Sequence, residues 1–361
     1  MSGKIKVLMM PDYRASNPFQ HLLERSLFTN EVEVIFARGY KRIFPIYRQI
    51  LMHQGIQILH LHWITPFLKG KKSFVVALYA VKLICDIMLT KLSGINIVWT
   101  IHNQVSHDTQ FPRIEIFTYR MISKLVNAAI LHGTSLKEVI LKDYKINSKK
   151  LSIINLGNYK SVYPAPIEKS TARKKLSISP VIRKVFLHQG LLKPYKGIEE
   201  LIQVWNQSAD EVKDDLLIIA GKTSDNSYEE ILKSLIGANE RIRPIFRYVT
   251  DDEITLLYSA SDVVVLPFRR IMASSSLMVA ISFGKPVIAP KLGASEELLG
   301  DASDLLYDSE KGIDGLKTAL EKSLSFDLVE LGEKTAARAD LYDWGDIGRK
   351  TAELYRRCIK E

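Results

Sequence analysis

The sequence predicts an α/β protein built from two doubly wound domains, and three observations carry that expectation. Short β-branched runs alternate with amphipathic stretches long enough to be helices, the rhythm of a parallel sheet covered on both faces. The rhythm halts in a turn-rich stretch near 157–180, which holds Pro164, Pro166 and Pro180, and then begins again. A chain of 361 residues also exceeds the size at which one hydrophobic core usually keeps growing.

In chain order, the first domain should take strands at 5–10, 32–36, 56–61, 97–100 and 129–131, with helices between them. The second should take strands at 185–187, 216–220, 245–249, 263–266 and 287–289. These runs set domains at 1–165 and 166–342, and the apolar spacing from Trp344 onward sets an amphipathic helix in 343–361. The stretch 73–90 is apolar enough to raise the question of a membrane span, but Lys82 and Asp86 near its middle would be costly in hydrocarbon. A buried core helix is the preferred reading. An interfacial helix preceded by Lys69, Lys71 and Lys72 is the alternative.

Residues 1–165 carry 22 Lys/Arg against 9 Asp/Glu, so the net charge of +10 has its source in the first domain. That asymmetry suits an anionic surface such as the inner leaflet of a membrane. Nucleic acid is set aside, because no helix-turn-helix or zinc pattern accompanies the charge. The two cysteines, Cys85 and Cys358, lack metal-ligand spacing, and no Asp-x-Asp occurs, so neither a metal nor any other cofactor is expected. The first strand begins almost at once and leaves no room for a signal peptide, which makes a cytoplasmic chain the expectation.

Ligands of open parallel sheets bind beyond the carboxyl ends of the strands, so the residues there carry the chemistry. Strand 185–187 leads into a turn with Gly190, Lys193, Lys196 and Gly197 just before a helix. Two cations facing a helix N-terminus suit a diphosphate, and the glycines let it approach the backbone. After strand 263–266, Arg270 precedes Ser274, Ser275, Ser276 and Leu277 at the start of another helix, where hydroxyls and unpaired N–H groups offer an anion site. Tyr248 and Val249 end a further strand, with Asp251 as the expected cap of the following helix. In the first domain, His102 and Asn103 follow strand 97–100, His60, His62 and Trp63 end strand 56–61, and Asn17 lies in the loop after the first strand.

The pair Gly190…Lys196-Gly197 and Ala280-Ile-Ser-Phe-Gly284-Lys-Pro286-Val287 resembles the donor-binding half of glycosyltransferase family 4 and related GT-B enzymes. The resemblance implies two Rossmann-like domains facing a cleft, with the terminal helix packing back on the amino-terminal domain. It also implies a nucleotide-sugar donor, a GDP- or UDP-sugar, held by Gly190, Lys193, Lys196, Gly197, Tyr248, Val249, Arg270, Ser274, Ser275, Ser276 and Leu277. A saccharide or lipid-linked saccharide acceptor would meet Asn17, His62, Trp63 and Asn103, and His102 would stand near the donor sugar as the first catalytic candidate. Should transfer invert the anomeric centre, Asp12, His107 and Asp108 are the candidate bases. Two departures stand out. Leu191 replaces the family's arginine after the first glycine, and Ile271 and Val279 fall where a glutamate pair is usual. The rivals are a catalytically silent partner subunit and a nucleotide-sugar epimerase.

Overall fold

The computed structural model describes residues 4–15, 17–37, 43–106, 109–208 and 210–360. They form two compact units, Met1–Gly157 together with Asp343–Glu361, and Asn158–Tyr342. The first stretch of unit one stops at Gly157 and not at 165. Asn158 donates from its backbone to Tyr342 O and from its side chain to Ala339 O, and Tyr159 N donates to Ser282 Oγ, which ties the residues after 157 to unit two.

Unit one is a sheet of six parallel strands, β1 (Ile5–Met10), β2 (Val32–Phe36), β3 (Ile58–Leu61), β4 (Asn96–Thr100), β5 (Ala128–Leu131) and β6 (Leu151–Ile153), in the order β2-β1-β3-β4-β5-β6. Unit two repeats the plan with β7 (Val185–Gln189), β8 (Leu216–Ala220), β9 (Ile242–Ile245), β10 (Val263–Val265), β11 (Val287–Pro290) and β12 (Leu306–Tyr307), in the order β12-β11-β10-β7-β8-β9. The inner strands are buried on both faces, as parallel strands between helical layers must be. The strand expected at 245–249 lies earlier, at Ile242–Ile245. Its Arg243 and Pro244 hide the β pattern, and 246–249 forms a loop instead. That loop ends in a capping box in which Thr250, not Asp251, caps the helix Asp251–Ala260 and exchanges hydrogen bonds with Glu253.

The helix Ser73–Leu92 is not the buried core helix that its composition suggests. Val76, Ala80, Leu83, Ile87 and Thr90 pack inward, against the helices Pro45–Met52 and Pro112–Leu125, while Phe74, Leu78, Val81 and Leu92 remain exposed. Its buried charge has a definite partner. The two carboxylate oxygens of Asp86 accept from Ile46 N at 2.9 Å and Tyr47 N at 2.8 Å, so Asp86 caps the helix Pro45–Met52 from a neighbouring element. Burial pushes the Asp86 carboxyl up, and these two N–H groups and Lys82 oppose that shift.

The helix Trp344–Lys360 belongs to unit one and packs on the helix Pro18–Phe28. Gly348 makes the approach possible, since a Cβ there would sit 1.8 Å from Ser26 Oγ. Ser26 Oγ donates to Trp344 O, Arg356 donates to Asn30 O at 2.7 Å, and Tyr355 is fully buried. Replacing Asp86 with Ala would strip two buried N–H groups of their acceptor. We expect a loss of about 1–3 kcal/mol in unfolding free energy, measured by urea titration, and an unchanged midpoint would refute the capping role.

Candidate functional site

The order of unit one places β3, β4 and β5 side by side, and each ends in histidine. His60 and His62 close β3, His102 follows β4 and His132 follows β5. His60 is held between Tyr355 Oη at 2.5 Å and Thr100 Oγ1 at 2.7 Å, and His132 Nδ1 donates to Ile154 O at 2.9 Å. His62 Nδ1 lies 3.1 Å from His102 Nε2. Trp63 stacks on His102 with ring centroids 4.1 Å apart, and Phe19 meets the edges of His62, His102 and His132.

The hydrogen-bond network assigns the proton between His62 and His102. His62 Nε2 is buried without a partner. If His62 Nδ1–H donates to His102, the orphan is an acceptor lone pair, whereas the reverse leaves a buried N–H with nothing to receive it, the rarer arrangement. His102 then carries its proton on Nδ1. Burial holds His62 and His102 well below the usual imidazole range, with neighbouring histidines adding to the effect, and it lowers His60 to about 3 and His132 to about 4. At neutral pH His102 is therefore an uncharged ring that offers an N–H, and it is a poor general base.

The other expected residues of this unit are scattered in role. Asn17 Oδ1 accepts from Phe19 N at 3.0 Å and caps the helix Pro18–Phe28. Asn103 accepts at its carbonyl from Tyr144 Oη at 3.1 Å, and Asp12 is ion-paired with Arg14 at 3.0 Å. His107 and Asp108 lie outside the described residues. His132 completes the cluster without having been singled out beforehand, and His60, noted in the sequence only as ending its strand, is held inside the cluster by Tyr355 and Thr100. Their signal was present, a histidine at the carboxyl end of each of three strands, but it becomes visible only once those strands are neighbours.

In unit two, three expected residues converge. Gly190 follows β7 with φ of 135°, and a Cβ there would lie 2.7 Å from Lys196 Nζ and 3.2 Å from Ser276 Oγ. Lys196 Nζ donates to Ser276 Oγ at 3.3 Å. Gly197 has φ of 70°, and a Cβ there would lie 2.0 Å from Pro267 O, so no other residue fits. Lys196 is buried, and no carboxylate among the described residues pairs with it. Burial lowers its pKa to about 8, and Lys193 pushes the same way.

Ser274 caps the helix Ser275–Ser282 by accepting from Leu277 N at 3.1 Å. Leu277 is buried with its N–H thereby engaged, so it adds no open donor, whereas the N–H groups of Ser275 and Ser276 have no intrahelical acceptor. Lys193 is half-buried at the start of the turn Pro194–Lys196. Tyr248 is exposed and Val249 buried in the loop after β9, and Arg270 is exposed beside Arg269, which is bound to Glu199 and Glu200. His188, on β7, donates from Nδ1 to Val265 O at 2.8 Å, and burial together with Lys196 lowers its pKa to about 3.

Two parallel α/β units, the second ending in cations and open N–H groups beyond its strands, define a nucleotide-sugar glycosyltransferase of the GT-B architecture. Residues 170–339 match the family of glycosyl transferases group 1, and the second unit is a domain of that family. Over 259 residues the chain is 26% identical to a GDP-mannose:glycolipid 4-beta-D-mannosyltransferase of Xanthomonas campestris pv. campestris, covering 70% of this chain and 67% of the relative. Sucrose-phosphate synthase from Thermosynechococcus elongatus has a similar fold, with a TM-score of 0.74 at 16% identity and 99% of both chains covered. The Anabaena protein HepE, solved in complex with UDP-glucose, aligns with a TM-score of 0.72 at 15% identity, covering 98% of this chain and 100% of that one. The chain is thus an enzyme, a hexosyltransferase by class.

The buried histidines make stability depend on pH. Their folded pKa values lie below the unfolded value near 6.5, so between about pH 4 and 6.5 the unfolded chain binds more protons and stability falls as pH drops. Each ring contributes up to about 1.4 kcal/mol per pH unit in that window. Urea unfolding at pH 7.5 and 5.5 should show a loss of several kcal/mol, and equal stability at both would contradict the burial described.

Proposed function

We propose that the chain transfers mannose from GDP-mannose to a lipid-borne saccharide, without a divalent metal, and that it works at the cytoplasmic face of an anionic membrane. The observation that carries the donor half is Lys196, a buried ammonium beside Gly190 and Ser276 with a second lysine near it and, among the described residues, no carboxylate partner. A buried cation without a counter-ion is costly, and a diphosphate laid across Gly190 supplies that counter-ion. The N–H groups of Ser275 and Ser276 add the positive end of a helix dipole. Mannose and GDP are favoured by the likeness to the Xanthomonas enzyme, whose acceptor is named as a glycolipid. The basic first 165 residues suit an acceptor displayed on anionic lipid.

The reaction breaks the bond between the sugar's anomeric carbon and the β-phosphate oxygen, which keeps the electron pair. A bond forms to the acceptor hydroxyl oxygen, whose proton passes to a base in an inverting transfer or to the departing diphosphate oxygen in a retaining one. Negative charge grows on the diphosphate as the first bond stretches, and Lys193, Lys196 and the helix N-terminus would stabilise it. With Ile271 and Val279 in place of carboxylates, these positive groups carry the donor contacts. His102, neutral and donating from Nδ1, would bind a sugar hydroxyl, and His107 and Asp108 are the candidates for the base of an inverting transfer.

Calorimetric titration with GDP, UDP and their mannose, glucose, N-acetylglucosamine and glucuronate forms tests the donor. We expect GDP and GDP-mannose to bind best and Lys196→Ala to weaken them at least tenfold, about 1.4 kcal/mol. Tighter binding of UDP-sugars would overturn the choice of GDP, and no nucleotide binding would overturn the site. Because Lys196 loses its proton near pH 8 in the free protein, GDP affinity should hold from pH 6.5 to 7.5 and fall above 8 by up to about tenfold per pH unit, a slope absent in Lys196→Ala.

A further inference from the structure

The helix Ser73–Leu92 has two apolar stripes, and among the described residues only one of them is packed against the rest of the fold. Val76, Ala80, Leu83, Ile87 and Thr90 form the stripe that unit one buries. The other runs through Phe74, Leu78, Val81, Cys85, Met88 and Leu92, spaced by three or four residues so that all lie along one face. Phe74, Leu78, Val81 and Leu92 are 60%, 65%, 58% and 77% exposed, and the stripe is about 27 Å long at 1.5 Å per residue. Scattered exposed apolar residues are ordinary, but a continuous row of this length marks an interaction surface.

Charge identifies the partner. Lys69, Lys71 and Lys72 precede the helix, and Lys82 rises beside the stripe with its Nζ 5.4 Å from the Tyr79 ring centroid. A cavity of about 290 Å³ opens along that flank, walled by Pro66, Phe67, Lys69, Tyr79 and Lys82. An apolar row edged by lysines and an aromatic ring is the pattern of a helix lying in a lipid–water interface. We propose that the exposed stripe of Ser73–Leu92 lies in the plane of an anionic bilayer, with acyl chains against the stripe and headgroup phosphates at Lys69 and Lys82. The helix does not span the bilayer, because one stripe is packed in unit one and Asp86 is bound to Ile46 N and Tyr47 N. The proposal rests on the reading that the protein works at a membrane, and not on the choice of donor.

Co-sedimentation of the full chain with phosphatidylglycerol vesicles and with phosphatidylcholine vesicles tests it. The wild type should partition at least tenfold more strongly onto the anionic vesicles, and the preference should shrink at high salt. Leu78→Glu with Val81→Glu, both at exposed positions, should abolish binding while GDP titration and circular dichroism stay unchanged. Lys69→Ala with Lys82→Ala should lower only the anionic preference. Vesicle binding that survives Leu78→Glu with Val81→Glu would overturn the role of this stripe while leaving membrane attachment standing. No binding to either vesicle would overturn both. A wild-type dimer by light scattering that the same double substitution splits would show that a second copy covers the stripe.

Discussion

Parallel pairing forces every strand of a sheet to end at the same edge, and both units derive their chemistry from that constraint. In unit one the adjacent strands β3, β4 and β5 bring together four histidines from three separate stretches of the chain. In unit two β7 and β10 are neighbours, so the turn carrying Gly190 and Lys196 meets the helix that opens with Ser275 and Ser276. Neither gathering needs a long loop, since a strand's own direction delivers its last residue to the edge.

The units also differ in how they treat buried polar groups. Asp262 and Asp215 of unit two are surrounded by donors, Arg173 and Val185 N for the first and Arg183 and Lys184 N for the second. Asp86 of unit one is satisfied by two backbone N–H groups. Lys196 stands apart from this pattern. Buried beside a hydroxyl and with no carboxylate paired to it among the described residues, Lys196 keeps an electrostatic debt that a bound anion can settle.

Most of the architecture was legible in the sequence, because inner parallel strands are β-branched runs and the turns between the domains hold proline and glycine. What escaped has physical reasons. Strands β6 and β12 are three and two residues long, too short to display a period. Strand β9 hides behind Arg243 and Pro244, which its edge position tolerates. The helix Ser73–Leu92 reads as a core helix because its two apolar stripes together make it apolar nearly all round, and composition does not say which stripe the fold covers. For the site, Lys196, Gly190 and Ser276 were identifiable from their places beside strand ends. The histidine cluster was visible only in part, since His132 joins it through strand order and the contact of His60 with Tyr355 spans most of the chain.

That last contact bears on how the protein is made. Unit one is built from two separated stretches of chain and lacks the helix Trp344–Lys360 until the whole of unit two has been synthesised. While unit two is still being made, His60 has no Tyr355 to bind and Ser26 has no Trp344 carbonyl. Unit two, continuous in the chain, can close its core as soon as it has emerged, so the second domain to be translated is the first able to finish folding. The catalytic candidate His102, set among those rings, is thus secured by a segment made only after unit two.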